Sequence, residues 1–105
     1  MTHERLVVRA TLAFFEDLDR QLGPERGPNG EPSTNDFQAF ELLEIVERFA
    51  TGFFDLPPLL SGRGDYRVLV SAGVLVRGFS VVGHRAMDGA VDLMTLELDL
   101  GSDWV

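Results

Sequence analysis

The chain has 105 residues, no cysteine and a formal net charge of −8, and all nine of its basic residues are arginine. This length is typical of one domain, and the absence of cysteine excludes disulfides, thiolate zinc sites and a cysteine nucleophile. The acidity disfavours direct binding to nucleic acid, and no apolar run approaches the roughly 20 residues of a membrane span. We therefore expect a single cytoplasmic domain over residues 1–105 that is not inserted in a membrane.

The first predicted elements are a short strand and a helix. Residues 5–10 alternate loosely between apolar and polar side chains, which favours a strand. Thr11 can cap the helix that follows, and Gly23-Pro24 stops it. Helical spacing predicts that its buried stripe consists of Leu12, Phe15, Leu18 and Leu22.

A second helix is predicted after a connector rich in Gly and Pro. Ser33 or Thr34 can cap this helix, which should run to about Thr51 with Gly52 as its end signal. Its predicted buried stripe consists of Ala39, Leu42, Leu43, Val46, Phe49 and Ala50. We expect the two helices to form an αα-hairpin. The next segment, FFDLPPLLSGRGD, is predicted to be a packed loop, because two consecutive prolines disfavour helix and central strand.

Residues 66–100 contain three apolar runs separated by short glycine turns, which predicts a three-stranded antiparallel meander. Asp88-Gly89 favours a two-residue hairpin turn between the last two strands. The pairs that this turn predicts are Arg85 with Asp92, Gly83 with Met94, Val81 with Leu96 and Phe79 with Leu98. The predicted fold is therefore α+β, namely a strand, the αα-hairpin and the meander, with the helices packed on one face of the sheet.

The turn between the first two strands of the meander is predicted at Ala72-Gly73, a weaker signal. The pairs that it predicts are Val70 with Leu75, Val68 with Arg77, Tyr66 with Phe79 and Arg67 with Gly78. Because Gly78 has no side chain, Arg67 would then reach Glu97 or Asp99 on the face away from the helices.

That register predicts four aliphatic side chains on the face away from the helices: Leu69, Val76, Val82 and Leu93. A contiguous exposed apolar patch indicates a protein partner or self-association, so these four are the predicted partner-binding residues. The alternative is that a loop or the C-terminal tail covers them.

The order strand, helix, helix, strand, strand, strand accompanies several distinctive segments. These are VVRATLAFFEDLDRQL, then GRGDYRVLV, VLVRGFSVVGHR, a DG turn and AVDLMTLEL. In this order and these segments the chain resembles, over nearly its whole length, the RelE/ParE superfamily of bacterial type II toxins. The family includes ribosome-dependent messenger-RNA endonucleases and inhibitors of DNA gyrase, and a cognate antitoxin neutralises both.

The resemblance implies functional basic and aromatic side chains on the sheet, and the positions that match are Arg63, Tyr66, Arg67, Arg77, His84 and Arg85. For an endonuclease, the candidate catalytic residues are Arg67, Arg77, His84 and Arg85, which would stabilise phosphate and transfer protons. Internal ion pairs are the alternative, with Asp92 as the partner of Arg85 and with Glu97 and Asp99 near Arg67.

Three functions stay open. The leading hypothesis is a RelE/ParE-like toxin-type domain that acts through protein contacts, either as a gyrase-inhibitor-like toxin or as a diverged relative held in a complex. The enzyme alternative is a ribosome-dependent messenger-RNA endonuclease, and the third is a non-catalytic homo-oligomeric interaction module. The expected partner is a cognate antitoxin, another protein or a second copy of the chain, and we expect no metal or cofactor.

Overall fold

A computed structural model describes residues 5–28 and 30–100, which form a five-stranded mixed sheet and three α-helices. The helices are α1 (Leu12–Gln21), α2 (Thr34–Phe40) and α3 (Leu42–Gly52), followed by a 3-10 helix at Phe53–Asp55. The strands are β1 (Val8–Ala10), β2 (Pro58–Leu60), β3 (Arg63–Ser71), β4 (Gly78–Arg85) and β5 (Val91–Asp99). The predicted α+β class is confirmed, whereas the predicted arrangement of strands and helices is matched only in part.

The helix caps follow from side chains that were predicted from sequence. The hydroxyl of Thr11 accepts a hydrogen bond from the backbone N–H of Phe14 at 3.2 Å, and Ser33 forms a reciprocal capping box with Asp36. The predicted second helix, however, is divided at Glu41 into α2 and α3. The expected hairpin of two continuous helices is therefore not matched.

The buried stripes of the helices match the predicted ones only in part: Leu18, Leu22, Phe49 and Ala50 are buried as predicted. Helix α1 buries Phe14 and Leu18, while Leu12 is 74% exposed. In α3 the buried residues include Ile45 and Phe49, while two side chains predicted to be buried, Ala39 in α2 and Leu43 in α3, are exposed. Several apolar side chains fit helical spacing on each helix, and the packing against the sheet decides which of them is buried.

The strand order is β1-β5-β4-β3-β2, with β1 parallel to β5 and the other neighbours antiparallel. The predicted meander corresponds to β3, β4 and β5. Strand β2, which was predicted as part of a packed loop, pairs with β3 at the edge of the sheet. An edge strand tolerates Pro58, since its missing N–H interrupts no central ladder.

The pairing of β4 with β5 is correct far from the turn and wrong next to it. Val81 lies opposite Leu96 and Phe79 opposite Leu98, as predicted. The turn has three residues, 87–89, with Gly89 at a φ of 91°, so the pairs nearest to it shift by one residue. A bulge at Met94, between the pairs Val82–Thr95 and Gly83–Leu93, then restores the predicted register.

This shift corrects two predictions. Arg85 lies opposite Val91 rather than Asp92, and Asp92 instead accepts hydrogen bonds from Arg9, the closest at 2.7 Å. The predicted Arg85–Asp92 ion pair is therefore wrong. Leu93 points into the core and is fully buried, so its predicted position on the outer side is also wrong.

The connection between β3 and β4 is six residues long, at 72–77, and not a two-residue turn. Leu69 therefore lies opposite Val81 on the core face and is 1% exposed, while Val76 lies in the loop and is 4% exposed. Their predicted exposure is wrong, because an odd shift in register exchanges the two faces of a strand. Of the four predicted partner-binding residues, only Val82 stays on the outer side.

The helices cover the face that carries Leu69, Val81, Leu93 and Leu96, and these residues form one core with the helix side chains. The largest fully buried side chains are Phe14, Phe37, Phe49 and Phe53. The other face carries none of the helices. The C-terminal tail that was considered as its cover, residues 101–105, lies outside the described residues.

Candidate functional site

The outer face, which is the side of the sheet away from the helices, combines aliphatic, aromatic and acidic side chains. Alternation along each strand places there the residues that are not in the core. By register they are Tyr66, Val68 and Val70 of β3, Gly78, Ser80, Val82 and His84 of β4, and Asp92, Thr95, Glu97 and Asp99 of β5.

The aliphatic part of the outer face lies on β3 and β4. Val68 lies directly opposite Val82, and Val70 lies opposite Ser80. Val70 is 73% exposed, and Val68 and Val82 are half-buried. The outer face thus carries an aliphatic group, but of the predicted residues only Val82 belongs to it, and Val68 and Val70 are the sequence neighbours of the predicted Leu69.

At one end of these strands, His84 is held by two neighbours. Its ring stacks on Tyr66 with a centroid distance of 4.4 Å, and its Nε2 lies 3.2 Å from Oδ2 of Asp65. A carboxylate in this position orients an imidazole, and an imidazole can accept or donate a proton near neutral pH.

Arg63 completes this cluster. Its guanidinium donates two hydrogen bonds of 3.0 Å to the Asp65 carboxylate and lies 5.0 Å from the centre of the Tyr66 ring. The pKa of Asp65 is lowered to about 2, mainly by the bidentate contact with Arg63 and to a smaller extent by the contact with His84. Asp65 is therefore ionised at neutral pH and occupied by two partners.

At the other end of the outer face, Glu97 and Asp99 occupy successive outward-facing positions of β5. They border a shallow groove of about 300 Å³, whose other border is Val70. Gly78 and Ser80 also line the groove, so the β4 residues that face outward between the aliphatic and the acidic border are small. The backbone N–H of Arg77 donates to the carbonyl of Asp99 at 2.9 Å, and its guanidinium lies 4.0 Å from the Asp99 carboxylate.

The four predicted catalytic residues do not converge on one site. Arg67 turns to the helix side, where it donates to the carbonyls of Leu56 at 2.7 Å and Gly64 at 2.8 Å, so its predicted network with Glu97 and Asp99 is wrong. Arg85 lies over the ring of Phe54 at 5.3 Å.

Arg77 and His84 occupy opposite ends of β4. Arg77 comes just before Gly78 and binds at the Asp99 end, while His84 lies at the Tyr66 end. The residue that the structure adds is Asp65, which pairs with His84 and is held by Arg63, one of the positions predicted from the resemblance. The segment GRGDYR contains both Arg63 and Asp65, but the contact of Asp65 with His84 was not predicted because the predicted register placed Tyr66 opposite Phe79 instead of His84.

A second cleft, of about 390 Å³, lies between the start of β1 and the β4–β5 turn. It is lined by Arg5, Arg9 and Arg85 together with Asp88. Arg5 pairs with Glu47, and Arg9 pairs with both Asp88 and Asp92. This cleft therefore presents balanced charge and not a cationic surface.

Within residues 5–28 and 30–100, no three His, Asp or Glu side chains are grouped as metal ligands would be. None of the helices described is long and apolar enough to cross a membrane. Comparison with known proteins found no matching family model, no matching curated protein and no matching solved structure.

Proposed function

We propose that this chain is a RelE/ParE-like domain of the toxin type that acts through contact with another protein at its outer face. The order of a strand, helices and an antiparallel meander supports the resemblance. The observation that carries the proposal is the aliphatic group formed by the exposed Val70 with the half-buried Val68 and Val82, on a sheet face that carries none of the described helices. An exposed apolar patch of this kind is a feature of interaction surfaces.

The arginines support protein contact over binding to a phosphate backbone. Among the described residues, six of the nine arginines lie within 4.0 Å of a carboxylate, namely Arg5, Arg9, Arg20, Arg26, Arg63 and Arg77. A seventh, Arg67, is taken up by backbone carbonyls. With a net charge of −8, the field of the whole molecule would repel nucleic acid.

Induced expression in a bacterial host tests this proposal. We expect growth arrest, with altered DNA supercoiling or gyrase-dependent cleavage as the molecular readout, and relief of the arrest by a cognate antitoxin. For a diverged relative held in a complex we expect no arrest but stable capture of its protein partner. The absence of both growth arrest and a captured partner would contradict the proposal.

A ribosome-dependent messenger-RNA endonuclease is the second candidate, and the contact of His84 with Asp65 favours it. In that function His84 would transfer a proton, and Asp65 would hold its ring. Induced expression should then degrade ribosome-bound messenger RNA, and His84→Ala should abolish the degradation without loss of folded protein. Intact messenger RNA at high expression would contradict this function.

The third candidate is a homo-oligomer joined through the outer face, which the exposed Val70 favours. Analytical ultracentrifugation of the wild type and of Val82→Glu distinguishes it. An oligomer that dissociates in the variant would support self-association, and a wild-type monomer would contradict it.

A further inference from the structure

The groove on the outer face has two unlike borders. Val70, on β3, forms the aliphatic border and is 73% exposed. Glu97 and Asp99, on β5, form the acidic border, and the Asp99 side chain is 63% exposed. The borders are two strands apart, which corresponds to about 10 Å.

The floor of the groove is made by small residues of β4. A Cβ added to Gly78 would lie 3.4 Å from the carbonyl oxygen of Ser71 and 4.0 Å from the Cβ of Asp99, so the glycine leaves a space that a methyl group would occupy. Ser80 lies next to Gly78 on the same face. The width and the low floor match an α-helix, whose diameter with side chains is about 10–12 Å.

The charge of the groove selects among helices. Glu97 and Asp99 place two carboxylates on one border; the Arg77 guanidinium lies 4.0 Å from Asp99, and the Glu97 carboxylate contributes to raising the pKa of Arg20 on α1. The net charge of −8 strengthens the attraction of the acidic border for a cation. A helix with an apolar stripe flanked on one side by arginine or lysine complements both borders at once.

We propose that the groove between Val70 and Asp99 binds a basic amphipathic helix of a partner protein. The aliphatic stripe of that helix packs on Val70 and its neighbours Val68 and Val82, and its basic side chains pair with Glu97 and Asp99. This inference rests on the proposed function in one respect only, that the outer face binds protein, and it specifies the chemistry of the partner.

Two synthetic helical peptides of 18 residues test the inference. Both carry the same leucine stripe, and the flanking positions are arginine in one peptide and glutamate in the other. Fluorescence anisotropy with the full chain should give a Kd at least tenfold lower for the arginine peptide. Resonances of Val70, Gly78 and Glu97 should shift in the NMR spectrum when it binds.

Variants of matched charge locate the binding. Glu97→Gln with Asp99→Asn removes two carboxylates from the groove, and Glu16→Gln with Asp19→Asn removes two exposed carboxylates from α1. The first pair should weaken binding of the arginine peptide at least tenfold and the second less than twofold. Gly78→Ala, which fills the floor without a change of charge, should weaken binding severalfold.

Equal losses in both double variants would mean attraction to net charge alone and would overturn the inference. If the two peptides bind with equal affinity and Val70→Glu abolishes the binding of both, the preference for a basic helix is overturned, but the outer face stays an interaction surface. Binding of neither peptide would overturn the inference, while the proposed function would still be judged by growth arrest and partner capture.

Discussion

The carboxylate of Glu41 accepts a hydrogen bond of 2.6 Å from the backbone N–H of Val74. Its Oε1 also accepts from Leu75 at 3.3 Å, and the residue is only 2% exposed. This contact ties the junction of α2 and α3 to the β3–β4 loop. The loop in turn sets the register that buries Leu69 and leaves Val70 on the outer face.

Glu41→Ala should therefore lower the free energy of unfolding by about 1–3 kcal/mol, because two part-buried backbone N–H groups lose their acceptor. Urea unfolding measures the change, and hydrogen exchange at Val74 should become faster. Glu44→Ala, at an exposed position of α3, should change stability by less than about 0.5 kcal/mol. Similar small effects in both variants would contradict this role of Glu41.

Gly83 lies opposite Leu93 on the core face, and the ring of Phe49 occupies the space over it. A Cβ added there would overlap the ring, with Cδ1 at only 2.8 Å. We expect Gly83→Ala to lower the free energy of unfolding by about 1–3 kcal/mol through overpacking.

Gly78→Ala is the matched control in the same strand, because its added Cβ makes only ordinary contacts. It should be neutral or slightly stabilising in thermal unfolding, since alanine loses less backbone entropy than glycine. A loss of stability in Gly78→Ala as large as that in Gly83→Ala would contradict the packing of Phe49 on Gly83.

Gln21 binds the backbone of β5 beyond Leu93, the last residue of β5 that pairs with β1. Its side-chain amide donates to the carbonyl of Leu96 and accepts from the N–H of Leu98, both at 2.7 Å. Gln21→Ala should lower the free energy of unfolding by about 1–3 kcal/mol and speed hydrogen exchange at Leu98. Glu16→Ala, on the exposed side of α1, should do neither, and unchanged exchange at Leu98 in Gln21→Ala would contradict the contact.

The pKa of Asp65, which Arg63 lowers to about 2, predicts a pH dependence. Because the pKa is lower in the folded state, the stability that this carboxylate contributes is fully present above about pH 4. It is lost as the pH falls toward 2. Urea unfolding between pH 6 and pH 2 should show a smaller loss for Asp65→Asn than for the wild type.

Arg63→Gln provides the complementary test, since it should raise the pKa of Asp65 toward its ordinary value of about 3.8. The carboxyl resonance of Asp65 measures this directly by NMR titration. An unchanged titration midpoint would show that Arg63 does not hold the carboxylate.

The sequence was sufficient for features that depend on local chemistry. Thr11 and Ser33 were recognisable as caps, and the pairs Val81–Leu96 and Phe79–Leu98 follow from the alternation of two strands. These two pairs, which are far from the turn, are predicted correctly because the three-residue turn and the bulge at Met94 shift the register in opposite directions. Those two features left no separate signal in the residue pattern.

The faces of β3 could not be predicted, because they depend on a long-range contact. Ala72-Gly73 is compatible with a tight turn, whereas the burial of Val76 and the hydrogen bond that the Val74 N–H donates to Glu41 favour a six-residue loop. The incorrect predicted register placed Leu69 on the outer face and did not place Tyr66 opposite His84. The contact of His84 with Asp65 was missed for the same reason.

The most direct test of the outer face as an interaction surface is quantitative capture of protein partners by the tagged chain from its native host. Val70→Glu places a charge in the aliphatic part of the outer face. Leu12→Glu places a charge on α1 at a position of nearly the same exposure, since Leu12 is 74% and Val70 is 73% exposed. We predict that Val70→Glu loses the partner that the wild type and Leu12→Glu retain. Equal capture by Val70→Glu, or equal loss in both variants, would contradict the account.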